Sequence, residues 1–253
     1  GLVYLVSYVA LDWVSYIQPI ASLGITPWNP PPGLSLALVL LFGRTFLPWL
    51  FVAPLLADAI VRQFPLTLWG ELATVGIIGF GYSLGAYILT RPGARFDTSL
   101  SSRRDLFWLI AVAAGASAFV ALSYVALVVA LGFLDRQQFA LAVLRYWIGD
   151  MIGITVVTPF ILIIFTRFRI RFVTWELIAP LALVAGALWL TIRYIDIVHF
   201  PLFYLLFLPV IWAAIRFGLE GAVFVLAITQ IGLDRKSTRL NSSHVALSRM
   251  PSS

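Results

Sequence analysis

Long apolar runs follow one another along most of this chain, and only short polar stretches separate them. Hydrophobic residues make up 61% of the sequence and charged residues 11%, with a mean hydropathy of +0.99. A soluble domain is about half apolar and about one-quarter charged, so the composition excludes that class. The sequence is that of an integral membrane protein, and its runs leave no room for a soluble domain.

The lengths of the runs predict the architecture. A helix needs about 20 residues to cross the hydrocarbon core of a bilayer. On that scale we expect an all-α polytopic transmembrane bundle of about eight to nine segments. The predicted spans are 2–20, 34–60, 67–90, 106–133, 145–166, 174–194, 200–215 and 219–233.

The second run, 34–60, is divided near its middle by a glycine and an arginine. It is either one long span with Arg44 buried, or two short helices, 34–42 and 46–61, that turn at Gly43. Two prolines in its later half favour a broken element, because proline removes a backbone donor and disrupts a helix. We favour the two-helix interpretation.

Arginine-rich loops orient the spans. The loops 91–105 and 166–172 are separated by two spans, so both can lie in the cytoplasm, as the positive-inside rule requires. Arg62 is then external, while Arg44 and the N-terminus are internal. On this count the last run leaves the cytoplasm.

The formal net charge of +6 does not indicate nucleic-acid binding, since the arginines cluster in short loops of membrane topology. The polar stretch 234–253 resembles translated adaptor sequence. We therefore expect a membrane domain over 1–233 and a disordered, non-native tail over 234–253. The start at Gly1 without a methionine is expected of a fragment or a processed form, and a cleaved signal peptide is not indicated.

Residues 26–33 (TPWNPPPG), here called the proline segment, contain four prolines between two apolar runs. They cannot continue a helix. Irregular backbone at membrane depth requires cover by protein or by a water-filled cavity. In one interpretation Trp28 and Asn29 close a ligand cavity, with Pro31 and Gly33 shaping its wall. In the other, the segment is a loop whose Trp28 anchors at the membrane interface.

Ionisable side chains inside a membrane cost about 2.5–3.5 kcal/mol on insertion scales and mark functional candidates. The acids within the spans are Asp12, Asp58, Glu71 and Asp150, and the arginines available as partners are Arg44 and Arg145. Asp58 precedes Arg62 by four residues, which is the favourable helical order for a structural ion pair. We expect Glu71 to lie near an interface.

Asp150 is the strongest of these candidates. It shares a helix face with Trp147 and Gly153. The pair Gly149 and Gly153 forms a GxxxG pattern that lets another helix approach closely. Asp150 then needs an interior partner, and it serves either a structural ion pair or ligand sensing. The partners considered are Arg216, Arg145 and a backbone donor of the proline segment.

Other positions complete the set. Trp212 and Arg216 lie in a late apolar stretch and join the ligand-sensing candidates, although Trp212 and Trp147 are equally explained as packing or interfacial residues. Gly81 and Gly85 form a second GxxxG pattern, which predicts helix packing.

Absences exclude several classes of site. The only lysine is Lys236, in the tail, so no retinal Schiff base forms in the membrane. Only His199 precedes the tail, which excludes a bis-histidine haem, and the absence of cysteine excludes thiolate metal sites. No phosphate-binding loop or nucleophile motif is found. We expect no cofactor, no metal and no catalytic residue.

Several stretches carry a family resemblance. In chain order they read WNPPPG at 28–33, continuing through LSLA and LFGR to 44; FVAPLLAD at 51–58; YWIGDMIG at 146–153 with TP at 158–159; and PVIWAAIRFG at 209–218. Together they resemble MASE1, the membrane-associated sensor domain of bacterial signalling proteins. Each stretch alone is a weak signal, whereas four in this order are specific.

The resemblance implies a multi-pass sensory input domain in the bacterial inner membrane. Its output partner is then a histidine kinase, a diguanylate cyclase or a phosphodiesterase, none of which has a catalytic segment in this chain. The implied partners are the lipid bilayer, a small ligand or membrane protein, and a second copy joined through the output domain. Two alternatives remain: a small-molecule transporter, which also uses broken helices and buried acids, and a module that only localises or dimerises its output domain.

Overall fold

The computed structural model describes residues 1–16, 25–26, 28–166 and 221–229, with single residues at 182, 213 and 218. The chain divides into two units, Gly1–Thr166 and Arg167–Ser253. All regular secondary structure in the described residues is helical, which confirms the all-α class. Apart from residues 182 and 213, the predicted spans 174–194 and 200–215 and the tail 234–253 lie outside the described residues, so the total of eight to nine segments stays a prediction.

Six α-helices build the first unit. They are α1 Leu2–Ser15, α2 Pro31–Phe42, α3 Trp49–Ala57, α4 Leu68–Thr90, α5 Arg103–Ala130 and α6 Phe139–Thr166. Among the described residues, four stretches are long and apolar enough to cross a membrane: Arg44–Arg62, Leu68–Thr90, Arg103–Ala130 and Arg136–Thr166. α1 and α2 are shorter apolar helices.

Side-chain caps fix where the long helices begin. The hydroxyl of Thr67 accepts a hydrogen bond from the Gly70 amide at the start of α4, and Ser102 caps α5 in the same way through the Asp105 amide. A 3₁₀ turn, Arg136–Gln138, leads directly into α6. α6 itself begins at Phe139, before the start at residue 145 that the sequence predicted.

The second apolar run consists of two helices, as the two-helix interpretation predicted. α2 ends at Phe42, and the φ of 90° at the following Gly43 lies in the region that favours glycine. The 3₁₀ turn Arg44–Phe46 follows, and α3 begins at Trp49. At its other end α2 opens with Pro31, a position where the missing amide of proline costs nothing because it has no partner within the helix.

α3 continues into a π-helical turn, Asp58–Arg62. Pro54, inside α3, cannot donate to the carbonyl one turn earlier, which weakens regular α-helical pairing just before this turn. The chain then leaves the helix through Gln63 and Phe64, both with positive φ. Asp58 and Arg62 therefore lie within the π-turn at the end of the apolar stretch Arg44–Arg62.

α2 lies inside the bundle. It packs mainly against α6 and also contacts α1 and α4, while α5 packs against α4 and α6. Residues 35–40 of α2 are all buried. A helix that is apolar on every side must be surrounded by protein or lipid, and this position places the preceding proline segment within the bundle.

Arg44 is exposed and contacts the end of α4. Its Nη2 donates to the Thr90 carbonyl at 3.1 Å and its Nε to the Thr90 hydroxyl at 3.3 Å, with the guanidinium over the Tyr87 ring. Arg44 was one possible partner for a buried acid; it bonds Thr90 instead, because the break at Gly43 brings it to the bundle end. It lies at the same end as the loop 91–105, as the predicted topology requires.

Candidate functional site

The proline segment is hydrogen-bonded along one side of α6. The backbone amide of Asn29 donates a hydrogen bond to the Gly149 carbonyl at 3.0 Å. Further along, the Thr158 hydroxyl donates to the Gly33 carbonyl at 2.9 Å. These bonds satisfy irregular backbone inside the bundle, which the membrane environment requires.

Glycines make this close approach sterically feasible. A Cβ at Gly153 would overlap the carbonyl oxygen of Asn29, and one at Gly33 would lie 2.6 Å from the Gly153 oxygen. The GxxxG pattern of α6 predicted that another helix would approach closely, and the first turn of α2 does so at Gly153. The irregular residues before that turn come nearer still.

Asp150 is fully buried, and each of its carboxylate oxygens accepts a hydrogen bond. The side-chain amide of Asn29 donates to Oδ1 at 2.7 Å. The hydroxyl of Tyr82, which is 1% exposed, donates to Oδ2. A buried carboxylate needs such donors because it has lost its hydration. We call Asn29, Tyr82 and Asp150 the polar triad.

The partners of Asp150 differ from those expected. The proline segment does provide a donor, but it is the side chain of Asn29 rather than a backbone amide. Between residues 28 and 166, no salt bridge joins Asp150 to Arg145. Arg216 lies outside the described residues, as does Trp212. Of the partners considered, the proline segment thus supplies one through the Asn29 side chain, and Tyr82 is a partner that was not foreseen.

A second buried cluster surrounds Arg62. Its Nη1 donates to Asp58 Oδ1 and its Nη2 to Asp12 Oδ1, both at 2.6 Å. The predicted Asp58–Arg62 bridge is confirmed, whereas the participation of Asp12 was not foreseen. The ring of Tyr16 lies 5.4 Å from the guanidinium. We call Asp12, Asp58 and Arg62 the ion cluster.

Glu71 adjoins the ion cluster. It is 2% exposed, and its Oε1 accepts a hydrogen bond from the Leu66 amide at 2.8 Å. Its carboxyl lies close enough to Asp58 for the two to interact electrostatically. Glu71 was expected near an interface; it lies in the first turn of α4, where it bonds to the chain leading into that helix.

The tryptophans have different environments. Trp28 is 6% exposed, which contradicts a role as an exposed interfacial anchor, and its indole nitrogen has no hydrogen-bond partner among the described residues. Trp147 donates from its indole nitrogen to the Ala114 carbonyl at 3.1 Å, so it joins α6 to α5. Trp28 thus remains a candidate for ligand contact, and Trp147 is a packing residue.

The second glycine pair packs two helices together, as predicted. A Cβ at Gly81 would overlap Val120, and one at Gly85 would lie 3.2 Å from the Cβ of Ala116. Both contacts join α4 to α5. The pair contributes to the scaffold that holds Tyr82 and lies outside the polar triad.

A cavity of about 20 Å³ lies between the polar triad and the ion cluster. Asn29 lines it from the proline segment, and Asp12, Asp58 and Arg62 line it from the ion cluster. The remaining wall includes Tyr8, Tyr124 and Tyr146. Residues of all six helices or their continuing turns therefore meet around one small space.

The family model of MASE1 matches residues 1–233. The chain belongs to the MASE1 family. MASE1 is a membrane-associated sensor domain of signalling proteins, so this chain is a membrane protein whose domain is sensory and not catalytic. No curated protein and no solved structure matched the chain.

Three of the stretches that carry the family resemblance meet in this MASE1 domain. The first supplies Asn29, the second supplies Asp58, and the central one supplies Asp150. The fourth, 209–218, is described only at Ala213 and Gly218. Each of these three stretches thus supplies one residue of the polar triad or of the ion cluster, while Tyr82, Asp12 and Arg62 come from outside them.

Sequence reasoning missed the tyrosines of this MASE1 site. A signal was present in α4, where buried residues recur at helical spacing and are mostly small or polar: Glu71, Thr74, Gly79, Tyr82, Gly85 and Ala86. A polar stripe on an apolar span predicts an interior face. Tyr82 lies in the middle of that stripe.

The polar groups of the described residues form hydrogen bonds and ion pairs. Within the described part of the chain, no group of three or more His, Cys, Asp or Glu side chains could hold a metal ion. The acids and tyrosines instead form hydrogen bonds and ion pairs that join separate helices. Such an arrangement can change its pairing when helices move.

Proposed function

We propose that this MASE1 domain is the membrane-embedded input module of a bacterial sensor protein and crosses the cell membrane several times. It relays a stimulus, either a small ligand or a membrane partner protein, to a cytoplasmic histidine kinase, diguanylate cyclase or phosphodiesterase domain. That output domain holds two copies together. The observation that carries the proposal is the hydrogen bond between Asn29 and Asp150, which ties the proline segment to α6 within a buried polar core.

A stimulus acts only if it binds two helix arrangements unequally. The polar triad supplies a discrete difference between such arrangements, because its hydrogen bonds are either made or exchanged for other partners. A half-satisfied buried network is costly, so intermediate positions are disfavoured. Tight packing at Gly33 and Gly153 couples movement of the proline segment to α6.

The test measures output from the full-length sensor in cells. Asp150→Asn is expected to change basal or stimulated output at least about threefold, while the amount of membrane-inserted protein stays unchanged, since replacing one networked acceptor oxygen by an amide donor shifts a two-state balance by about 1 kcal/mol. The matched control is Asp135→Asn, at an exposed carboxylate that caps a short turn. Unchanged output with normal insertion, or loss of insertion in Asp150→Asn alone, would assign Asp150 a purely structural role.

The DNA sequence of the parental gene beyond codon 233 distinguishes a sensor from a transporter. The break between α2 and α3 is a feature that transporters share. A kinase, cyclase or phosphodiesterase reading frame beyond codon 233 supports the sensor. A stop codon after one further helix would favour transport instead.

A further inference from the structure

Two buried polar atoms of the ion cluster have no hydrogen-bond partner among the described residues. They are Oδ2 of Asp12 and Nε of Arg62. Asp12 is 4% exposed, and both side chains line the central cavity. One atom is an acceptor and the other is a donor, and a buried polar group without a partner costs free energy.

The cavity is the size of a single water molecule. Its volume is about 20 Å³, and a cavity of roughly 10–15 Å³ on this measure is enough to hold one water. Pockets for metabolites are far larger, at about 300–1,000 Å³. An organic ligand is therefore too large for this space.

The chemistry of the wall favours water over a cation. A water molecule donates to a carboxylate and accepts from a guanidinium at the same time, which matches the Asp12 and Arg62 atoms. A bare cation would satisfy Asp12 but would face the positive charge of Arg62. Asn29 lines the same cavity, and because its side-chain nitrogen is bonded to Asp150, its side-chain oxygen is the atom left to accept from a second donor.

We propose that this cavity binds one water molecule, which hydrogen-bonds Asp12 Oδ2 and Arg62 Nε and reaches the Asn29 amide. Buried waters make about three hydrogen bonds to groups that lack other partners. The water joins the ion cluster to the polar triad. As a result α1, the π-turn, the proline segment, α4 and α6 belong to one hydrogen-bonded unit. The site is a property of the folded domain and holds whether or not the domain senses a stimulus.

The test is infrared spectroscopy of the full chain in lipid nanodiscs, in D₂¹⁶O and in D₂¹⁸O. An internal water gives an O–D stretching band apart from bulk solvent that shifts with the oxygen isotope. We expect this band in the wild type and in Ile78→Leu, which keeps the volume of a lining residue. We expect the band to be lost in Ile78→Phe, because the phenyl ring is larger than the isoleucine side chain and fills the cavity. An identical isotope-sensitive spectrum in all three, or none in the wild type, would overturn the proposal.

A double-mutant cycle covers the case in which Ile78→Phe does not fold. Asp12→Asn and Asn29→Ala are combined, and unfolding is followed by SDS titration in mixed micelles. Because both side chains contact the same water, the effects of the two substitutions on the unfolding equilibrium constant are expected to depart from additivity by at least about threefold. Additive effects would contradict the bridge. Replacing NaCl by choline chloride at equal ionic strength is expected to change nothing, and stabilisation by sodium would identify a cation in place of water.

Discussion

Asn29 donates a hydrogen bond to Asp150 at 2.7 Å although 121 residues separate them in the chain. One residue belongs to an irregular segment and the other to the middle of a long helix. The bond explains why a proline-rich stretch can remain inside a membrane bundle: its polar atoms are matched to those of α6. Loss of either partner leaves the other buried without its hydrogen bond.

Asn29→Ala is therefore expected to destabilise the domain by about 1–3 kcal/mol, because Asp150 Oδ1 keeps its burial and loses its donor. SDS titration in mixed micelles measures the free energy of unfolding. Gln137→Ala, at an exposed side chain in a turn, serves as the control and is expected to stay within about 0.5 kcal/mol of wild type. Equal effects of the two substitutions would contradict this account.

Tyr82→Phe removes only the hydroxyl that donates to Asp150 Oδ2, and a loss of about 1–3 kcal/mol is expected. Tyr87→Phe is matched to it in chemistry and in helix, but Tyr87 is half exposed, so little change is expected. Combining Tyr82→Phe with Asn29→Ala is expected to give a non-additive effect, because both donors serve one carboxylate. Strict additivity would separate the two bonds.

Gly153→Ala tests the close approach of the proline segment. The added methyl would overlap the Asn29 carbonyl, so the segment must shift, at an expected cost of about 1–3 kcal/mol for overpacking. At Gly115, in α5, an added Cβ meets nothing within 4 Å. Gly115→Ala is accordingly expected to be neutral or stabilising, since alanine favours a helix. The same SDS titration compares the two, and a harmless Gly153→Ala would show that the packing is loose.

Removing the charge of Arg62 isolates two carboxylates. Arg62→Met is expected to cost about 3–5 kcal/mol or to prevent folding, as happens when one member of a buried ion pair is lost. Arg44→Met removes an exposed arginine and is expected to cost no more than about 1 kcal/mol. If Arg62→Met fails to fold, recovery of folded protein in Asp12→Asn/Asp58→Asn/Arg62→Met is the expected outcome. No recovery would mean that Arg62 acts through packing.

The 253-residue sequence has no cysteine, so single cysteines introduced into it report membrane sidedness without background. Gln63 and Arg95 are both exposed. The candidate span Leu68–Thr90 lies between them, so they mark its two ends. Under the positive-inside rule, an impermeant maleimide added to whole cells is expected to label Gln63→Cys, and Arg95→Cys only after the membrane is opened. The reverse pattern would invert the topology.

Local sequence rules predicted the helices well, because they depend on residues close in the chain. Run length and proline content were enough to locate α4 and α5 and to divide α2 from α3 at Gly43. The spacing of Asp58 and Arg62 was enough to predict their pair. In contrast, Asn29 with Asp150 and Asp12 with Arg62 are long-range pairs, and no local pattern specifies which donor a buried acid will meet. Tyr82 escaped notice for the same reason, since its importance comes from α6 and not from α4.

The π-turn Asp58–Arg62 fixes the rotational position at which Arg62 meets Asp12 of α1. A change of one residue in helical register turns the following side chains by about 100°. Asp58 belongs to the same turn as Arg62, whereas Asp12 belongs to α1, so such a rotation would separate Arg62 from Asp12 and not from Asp58. The ion pair between Arg62 and Asp12 therefore resists rotation of the π-turn relative to α1.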